Sequence, residues 1–225
     1  MYLSKVTLNT TLQARQALVK LQGNSLYAAH QLLWQLFTQY QRRCFLFRES
    51  YISSSRPEFL LLSAEPPVDE NSLFALQIKP YRPKLKSGDR LAFQLRVNPT
   101  LTVKTTQGVK QRHDVLMHAK YQLKNRQDIA TSDIRLAMEQ AAQAWLADAR
   151  RLERWGIRLA STPDVLAYQQ HRLRKAKKQQ PVTFSSVDYQ GLLTVQDPQR
   201  FIETIAAGVG KAKAFGCGLI LIRPV

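Results

Sequence analysis

The chain has 225 residues, room for one large domain or two small ones of about 100 residues each. Its 44% apolar content is ordinary for a globular protein and excludes wholesale disorder. Against 16 acidic residues stand 33 Lys and Arg, a formal net charge of +17. An excess of this size attracts polyanions. It fits nucleic acid best, because neutralised phosphates release their counterions, with an anionic membrane surface or a merely basic protein as the other readings.

Cys44 and Cys217 stand far apart, so neither a zinc site nor a disulfide framework is expected. The start, MYLSKVTLNTTLQ, lacks the apolar core of a secretory signal, and no apolar run approaches about 18 residues. No membrane partner is expected, and residence should be cytoplasmic.

Met1 to Asn9 alternates well enough for a strand. Two helical stretches follow, split by Gly23-Asn24-Ser25. In the second, Asn24 or Ser25 can cap, and Leu26, Ala29, Leu33 and Phe37 recur at helical spacing. Cys44 to Phe47 and Phe59 to Leu62 read as a strand pair around Ser53-Ser-Ser-Arg-Pro57. Asn71 to Gln77 is read as helical or irregular. Arg90 to Val97 alternates as a strand and stops at Asn98-Pro99. Strand, helix, strand, strand, helix, strand is the order of a ferredoxin-like unit.

Residues 100 to 130 are polar, basic and hard to assign. Thr131-Ser132 opens a helix through about Trp155, which Gly156 ends. After an extended piece and a basic run, Val182 to Val195 reads as a strand. Asp197-Pro198 begins a short helix, and Leu219 to Ile222 closes the chain as a strand. The expected class is α+β, with two ferredoxin-like domains in tandem. Residues 1–100 would carry the second helical stretch, and 101–225 the basic run and the glycine-rich tail.

Arg172, Arg174, Lys175, Lys177 and Lys178 crowd together, with no acid between Asp164 and Asp188. Between two strands they would form a hairpin tip able to grip phosphates; the alternative is a solvated basic turn. Gly208 to Gly218 packs four glycines with Lys211 and Lys213. Gly208 and Gly210 allow close backbone approach, and peptide N–H groups can form an anion-binding concavity. A tight connection into the last strand is the plainer reading. Neither a Walker loop nor a dinucleotide fingerprint fits.

Three segments together resemble one family. They are MYLSKV with Leu26-Tyr27-x-x-His30-x-x-Leu33-Trp34-x-Leu36-Phe37; Phe93-x-Leu-Arg96-x-Asn98-Pro99-Thr100; and Gly191-Leu-Leu-x-Val195 with Phe201 and Gly208-x-Gly210-x-x-Lys213-x-Phe215-Gly-Cys-Gly218-Leu219. They are similar to the CRISPR-associated endoribonucleases of type I-E systems, the CasE family of Cascade subunits. Residues 104 to 180 match only loosely.

The resemblance implies RAMP-type ferredoxin-like domains, cleavage of precursor CRISPR RNA at its repeat hairpin, retention of the mature guide RNA, and assembly with other Cascade subunits. It places the family's histidine and tyrosine at His30 and Tyr27. The RNA-binding loop falls at Gly208 to Gly218, and the stem-gripping basic hairpin at about Arg172 to Lys178.

RNA carries its own nucleophile, the 2′-hydroxyl beside the scissile phosphate. The enzyme must align it, move its proton, support the phosphorane charge and protonate the departing 5′-oxygen. Histidine titrates near neutrality and serves either proton role, and a positioned acid or base contributes about 10²–10⁴-fold. Tyr27 and His30 are three apart on a helix and share a face that Trp34 continues. His30 would transfer protons, Tyr27 would orient the phosphate or assist the 2′-hydroxyl, and Lys211 or Lys213 would offset developing charge. A packing role for His30 is the competing reading, and for Tyr27 alone it is nearly as good. His113 and His171 could contact RNA, although exposed positions without a role are expected. No metal and no small-molecule cofactor are expected, since no His/Asp/Glu cluster has ligand spacing. The runner-up function is a non-catalytic RNA-binding subunit of the same assembly; a basic ribosome-associated or DNA-binding protein stands third.

Overall fold

A computed structural model describes residues 1–23, 25–50, 57–104, 106–124, 130–173 and 182–225. The chain forms two units, neither continuous in sequence. One holds Met1–Lys84, Arg172–Thr183 and Ile205–Leu219; the other holds Leu85–His171, Phe184–Thr204 and Ile220–Val225.

In the first unit β1 (Tyr2–Leu8) is followed by α1 (Leu12–Gly23), α2 (Ser25–Trp34), β2 (Phe45–Ser50), β3 (Glu58–Ser63) and β4 (Phe74–Pro80). The strands pair antiparallel in the order β2-β3-β1-β4. Alternation along β1 turns Val6 and Leu8 to the core, where they are buried. Ala29 and Leu33 bring α2 down onto the same core, against Phe45, Phe47 and Phe59 of the sheet, and Leu26 of the same stripe is buried too. Phe37 stacks on Phe45 with centroids 4.9 Å apart. Each large side chain buried in this way contributes about 1.5–3 kcal/mol.

Two expectations are corrected here. Phe74–Pro80, read as helical or irregular from Asn71 on, is a strand paired along its length with β1, from Leu8↔Phe74 to Tyr2↔Pro80. It is an edge strand whose residues are mostly exposed, so its hydrophobic signal is weak. Arg90–Val97 is a strand as expected, but it pairs in the other sheet.

The second unit starts with that strand, β5 (Arg90–Val97). The unassigned stretch after it contains the hairpin β6 (Thr100–Lys104) and β7 (Lys110–Asp114) and the helix α3 (Val115–Lys124). Asp114 caps α3 by accepting from the Met117 N–H at 2.6 Å. The single long helix expected over 131–155 is two, α4 (Thr131–Leu146) and α5 (Ala149–Trp155). Asp148 interrupts it by capping α5, its carboxylate accepting from the Arg151 N–H at 2.8 Å. Gly156, at φ 73°, ends α5 as expected.

Then come β8 (Ile157–Leu159), β9 (Asp164–Leu173), β10 (Val182–Val195), α6 (Pro198–Ala207) and β11 (Ile220–Pro224). The sheet order is β11-β5-β10-β8, with β9 also paired to β10. Taking β8 and β9 together as the second strand, both sheets follow the ferredoxin-like order fourth, first, third, second. The protein is therefore α+β, with two ferredoxin-like folds in tandem. No described helix is long and apolar enough to cross a membrane.

Candidate functional site

α2 presents three kinds of surface. Leu26, Ala29 and Leu33 are buried, Gln31 is exposed, and Tyr27, His30 and Trp34 line the edge between core and solvent. The His30 ring lies 6.3 Å from the ring of Trp34, 6.0 Å from Phe45 and 6.5 Å from Phe47, centroid to centroid. Its Nε2 is out of contact with solvent. The imidazole is thus held by aromatic neighbours on two elements rather than swinging on an exposed helix. Tyr27, one turn back, has its hydroxyl oxygen accepting from the Gln31 amide at 3.3 Å.

The glycine-rich segment folds back onto this same unit. A Cβ added at Gly208 would lie 2.6 Å from Leu46 Cδ1, and one at Gly216 would lie 3.5 Å from the Phe47 ring. The segment therefore packs on β2, whose Phe47 is a neighbour of His30. Gly208 and Gly210 have φ of 68° and 72°, and Ala212 shares the left-handed region at 57°. Such a conformation is uncommon away from glycine and marks a backbone whose course is set by its surroundings. The Val209 N–H donates to the Gly218 carbonyl at 2.9 Å and closes the loop. The close approach that glycine permits at Gly208 is thus made to the protein's own core.

The two lysines of the segment differ. Lys213 Nζ donates to the Ala207 carbonyl at 2.7 Å, at the C-terminal end of α6, where a cation complements the helix dipole. Burial lowers its pKa, and the charges of Arg43 and Lys211 lower it further. Lys211 is exposed. Arg43, which sequence reading passed over, joins this cationic group from just before β2, and partial burial lowers its pKa too. Its signal was the Arg42-Arg43 pair ahead of the apolar run from Cys44.

Arg172 is exposed on β9, and β9 pairs with β10, so strands do flank the basic run. Arg174, Lys175, Lys177 and Lys178 lie outside the described residues. His171 is not the exposed bystander expected: it is half-buried, its Nε2 lies 2.8 Å from Ser186 Oγ, and its ring stacks on Phe184 at 4.6 Å. Burial, then the charge of Arg96, lowers its pKa, with Asp188 opposing. Arg96 and Asp188 form a mostly buried two-pronged pair, both contacts at 2.8 Å. His113 and His118 meet edge to face at 5.7 Å. Among the described residues no group of His, Cys, Asp and Glu is arranged to hold a metal.

Comparison with known proteins places this geometry. The chain is 28% identical to the CRISPR system Cascade subunit CasE of Escherichia coli (strain K12), over the whole of both chains. It is 30% identical to the CRISPR-associated endoribonuclease Cse3 of Thermus thermophilus, over 70% of this chain and 66% of that one. The fold matches a structure of the CRISPR endoribonuclease Cse3 bound to a 19-nucleotide RNA, with TM-score 0.71, 27% identity and full coverage of both chains. It also matches Thermus thermophilus Cse3 bound to an RNA representing a pre-cleavage complex, with TM-score 0.70, 26% identity and coverage of 99% and 98%. A family model described as CRISPR associated protein matches residues 1–224. With the match running from the first residue to the last but one, the chain belongs to this family of CRISPR-associated proteins, the family of its relatives CasE and Cse3.

Proposed function

We infer that this chain is the endoribonuclease that processes precursor CRISPR RNA at the repeat hairpin and remains on the mature guide RNA within Cascade. Its full-length similarity to CasE and to the RNA-bound Cse3 carries this reading. In the proposed reaction the 2′-oxygen bonds to the adjacent phosphorus as the P–O5′ bond breaks, with no metal ion taking part. The products are a 2′,3′-cyclic phosphate and a 5′-hydroxyl.

His30 transfers the proton, and Tyr27 orients the phosphate or assists the 2′-hydroxyl. His30 is supported in this role by its fixed ring, since alignment is worth several kcal/mol, of order 7 in good cases. Lys211 offsets charge at the phosphate directly. Lys213, tied to the Ala207 carbonyl, acts through the course of the loop that Gly208 and Gly210 shape. Arg172, Arg174, Lys175, Lys177 and Lys178 grip the stem by its phosphates. The protein works in the cytoplasm.

One observation favours the runner-up, a non-catalytic RNA-binding subunit: the Nε2 of His30 is out of solvent contact beside Phe45 and Phe47. Incubating pure protein with its repeat RNA in EDTA separates the two. Cutting at a single site, abolished in His30→Ala, is the expected result. Equal cutting by His30→Ala overturns the assignment of His30, and binding without cutting establishes the runner-up.

A further inference from the structure

A groove of about 560 Å³ runs between α1 and α2, beside the loop that leads into β4. Gln13 and Gln16 face it from one helix, Gln31 from the other, Gln35 from the 3-10 turn that follows α2, and Asn71 from the loop, over an apolar floor that includes Leu32. The spacing of three on α1 puts Gln13 and Gln16 on one helical face, and Gln35, at the start of the 3-10 turn after α2, follows Gln31 by four residues. In a chain with 33 Lys and Arg, none of the described lining residues is charged.

That composition suits one part of a nucleic acid and not another. A phosphate calls for cations or a nest of N–H groups, and the groove offers no charge. A nucleobase edge calls for a donor beside an acceptor over an apolar surface, which carboxamides above leucine and alanine provide. Bases available in this way are the unstacked ones of loops and single strands.

The groove also lies next to the proposed cleavage pair. At about 100° per residue, Gln31 lies one step round the helix from His30, with Tyr27 between them. The bond from the Gln31 amide to the Tyr27 hydroxyl, at 3.3 Å, joins groove and site directly.

We propose that this groove binds the base of an unpaired RNA nucleotide flanking the scissile phosphate, with Gln16 and Gln35 among the groups that read its edge. The inference rests on His30 and Tyr27 being the cleavage pair.

The test uses the full chain and a repeat hairpin RNA with single-stranded flanks, made uncleavable by a 2′-deoxy sugar before the scissile phosphate. Each flanking nucleotide is replaced in turn by an abasic one. Wild-type protein should lose about tenfold in affinity at one flanking position, the scale of one well-formed bidentate contact. Gln16→Leu/Gln35→Leu should bind the intact and the abasic RNA equally at that position. Gln35→Glu, which keeps the acceptors and loses the amide donor, should lie between. If wild-type affinity ignores every flanking abasic site, or the double variant keeps the full loss, the proposal is overturned. Because the readout is binding to an uncleavable RNA, absence of cutting in a parallel assay counts against the endoribonuclease reading and not against the groove.

Discussion

The rings of Phe47 and His30 lie nearly parallel, 25° apart in plane with centroids separated by 6.5 Å. Phe47 is fully buried and is also the side chain nearest a Cβ built at Gly216. One core residue thus braces the proposed catalytic ring on one side and the glycine-rich segment on the other. Phe47→Leu keeps the site apolar but removes three carbons from it, and should cost about 1–3 kcal/mol. Cleavage by this variant, assayed under single-turnover conditions, should nevertheless fall about tenfold or more, because the imidazole loses a flat neighbour. Unchanged cleavage would show that Phe47 only fills space.

Gly208 is where the segment comes closest to the sheet. Gly208→Ala must adopt φ near 68° and meet Leu46, so it should destabilise by about 1–2 kcal/mol from the conformation alone, with the clash added. Placed in a Leu46→Ala background, the same change should cost about 1 kcal/mol less, a coupling that urea denaturation of the four proteins can read. Strict additivity would mean that the two residues do not meet.

His171 predicts a pH dependence. Its folded-state pKa is pushed below the usual value of 6.5, first by burial and then by Arg96. Between the two values the unfolded chain binds the proton more readily. The contribution is therefore fully present above about 6.5 and is lost as pH falls toward the folded-state value. His171→Gln should remove this part of the pH dependence, so its stability should fall less than that of wild type between about pH 7.5 and about pH 5. Parallel denaturation curves for the two proteins would refute the assignment.

For the basic run, Arg172→Ala/Arg174→Ala/Lys175→Ala should weaken hairpin RNA binding. It should also flatten the dependence of log affinity on log salt by about 0.7–0.9 for every phosphate no longer neutralised. If neither affinity nor slope changes, the run is a solvated turn.

Local pattern was enough to find α2 and its faces. Leu26, Ala29 and Leu33 point inward, and the same spacing puts Tyr27, His30 and Trp34 along one edge. β5 was equally legible as a strand, yet its alternation fixes only which residues face which side, not which sheet it joins. β4 was missed because an edge strand keeps polar residues and leaves Ile78 in solvent. The division at Asp148 was hidden by an apolar pattern that runs on through both helices. Within the candidate site, the tie from Lys213 to the Ala207 carbonyl and the contact of the tail with β2 are tertiary facts. No spacing in the chain encodes them.

The seating of Gly208 and Gly216 against Leu46 and Phe47 has a temporal side. During synthesis the His30 helix and β2 leave the ribosome well before their covering segment, which follows β10 and α6 in the chain. That surface must wait, partly bare, while β5 to β10 are produced. Contacts so distant along the chain form slowly and leave apolar surface open meanwhile. A nascent chain therefore completes this neighbourhood only once the glycine-rich segment has been made, and the proposed RNA-binding surface is finished no sooner.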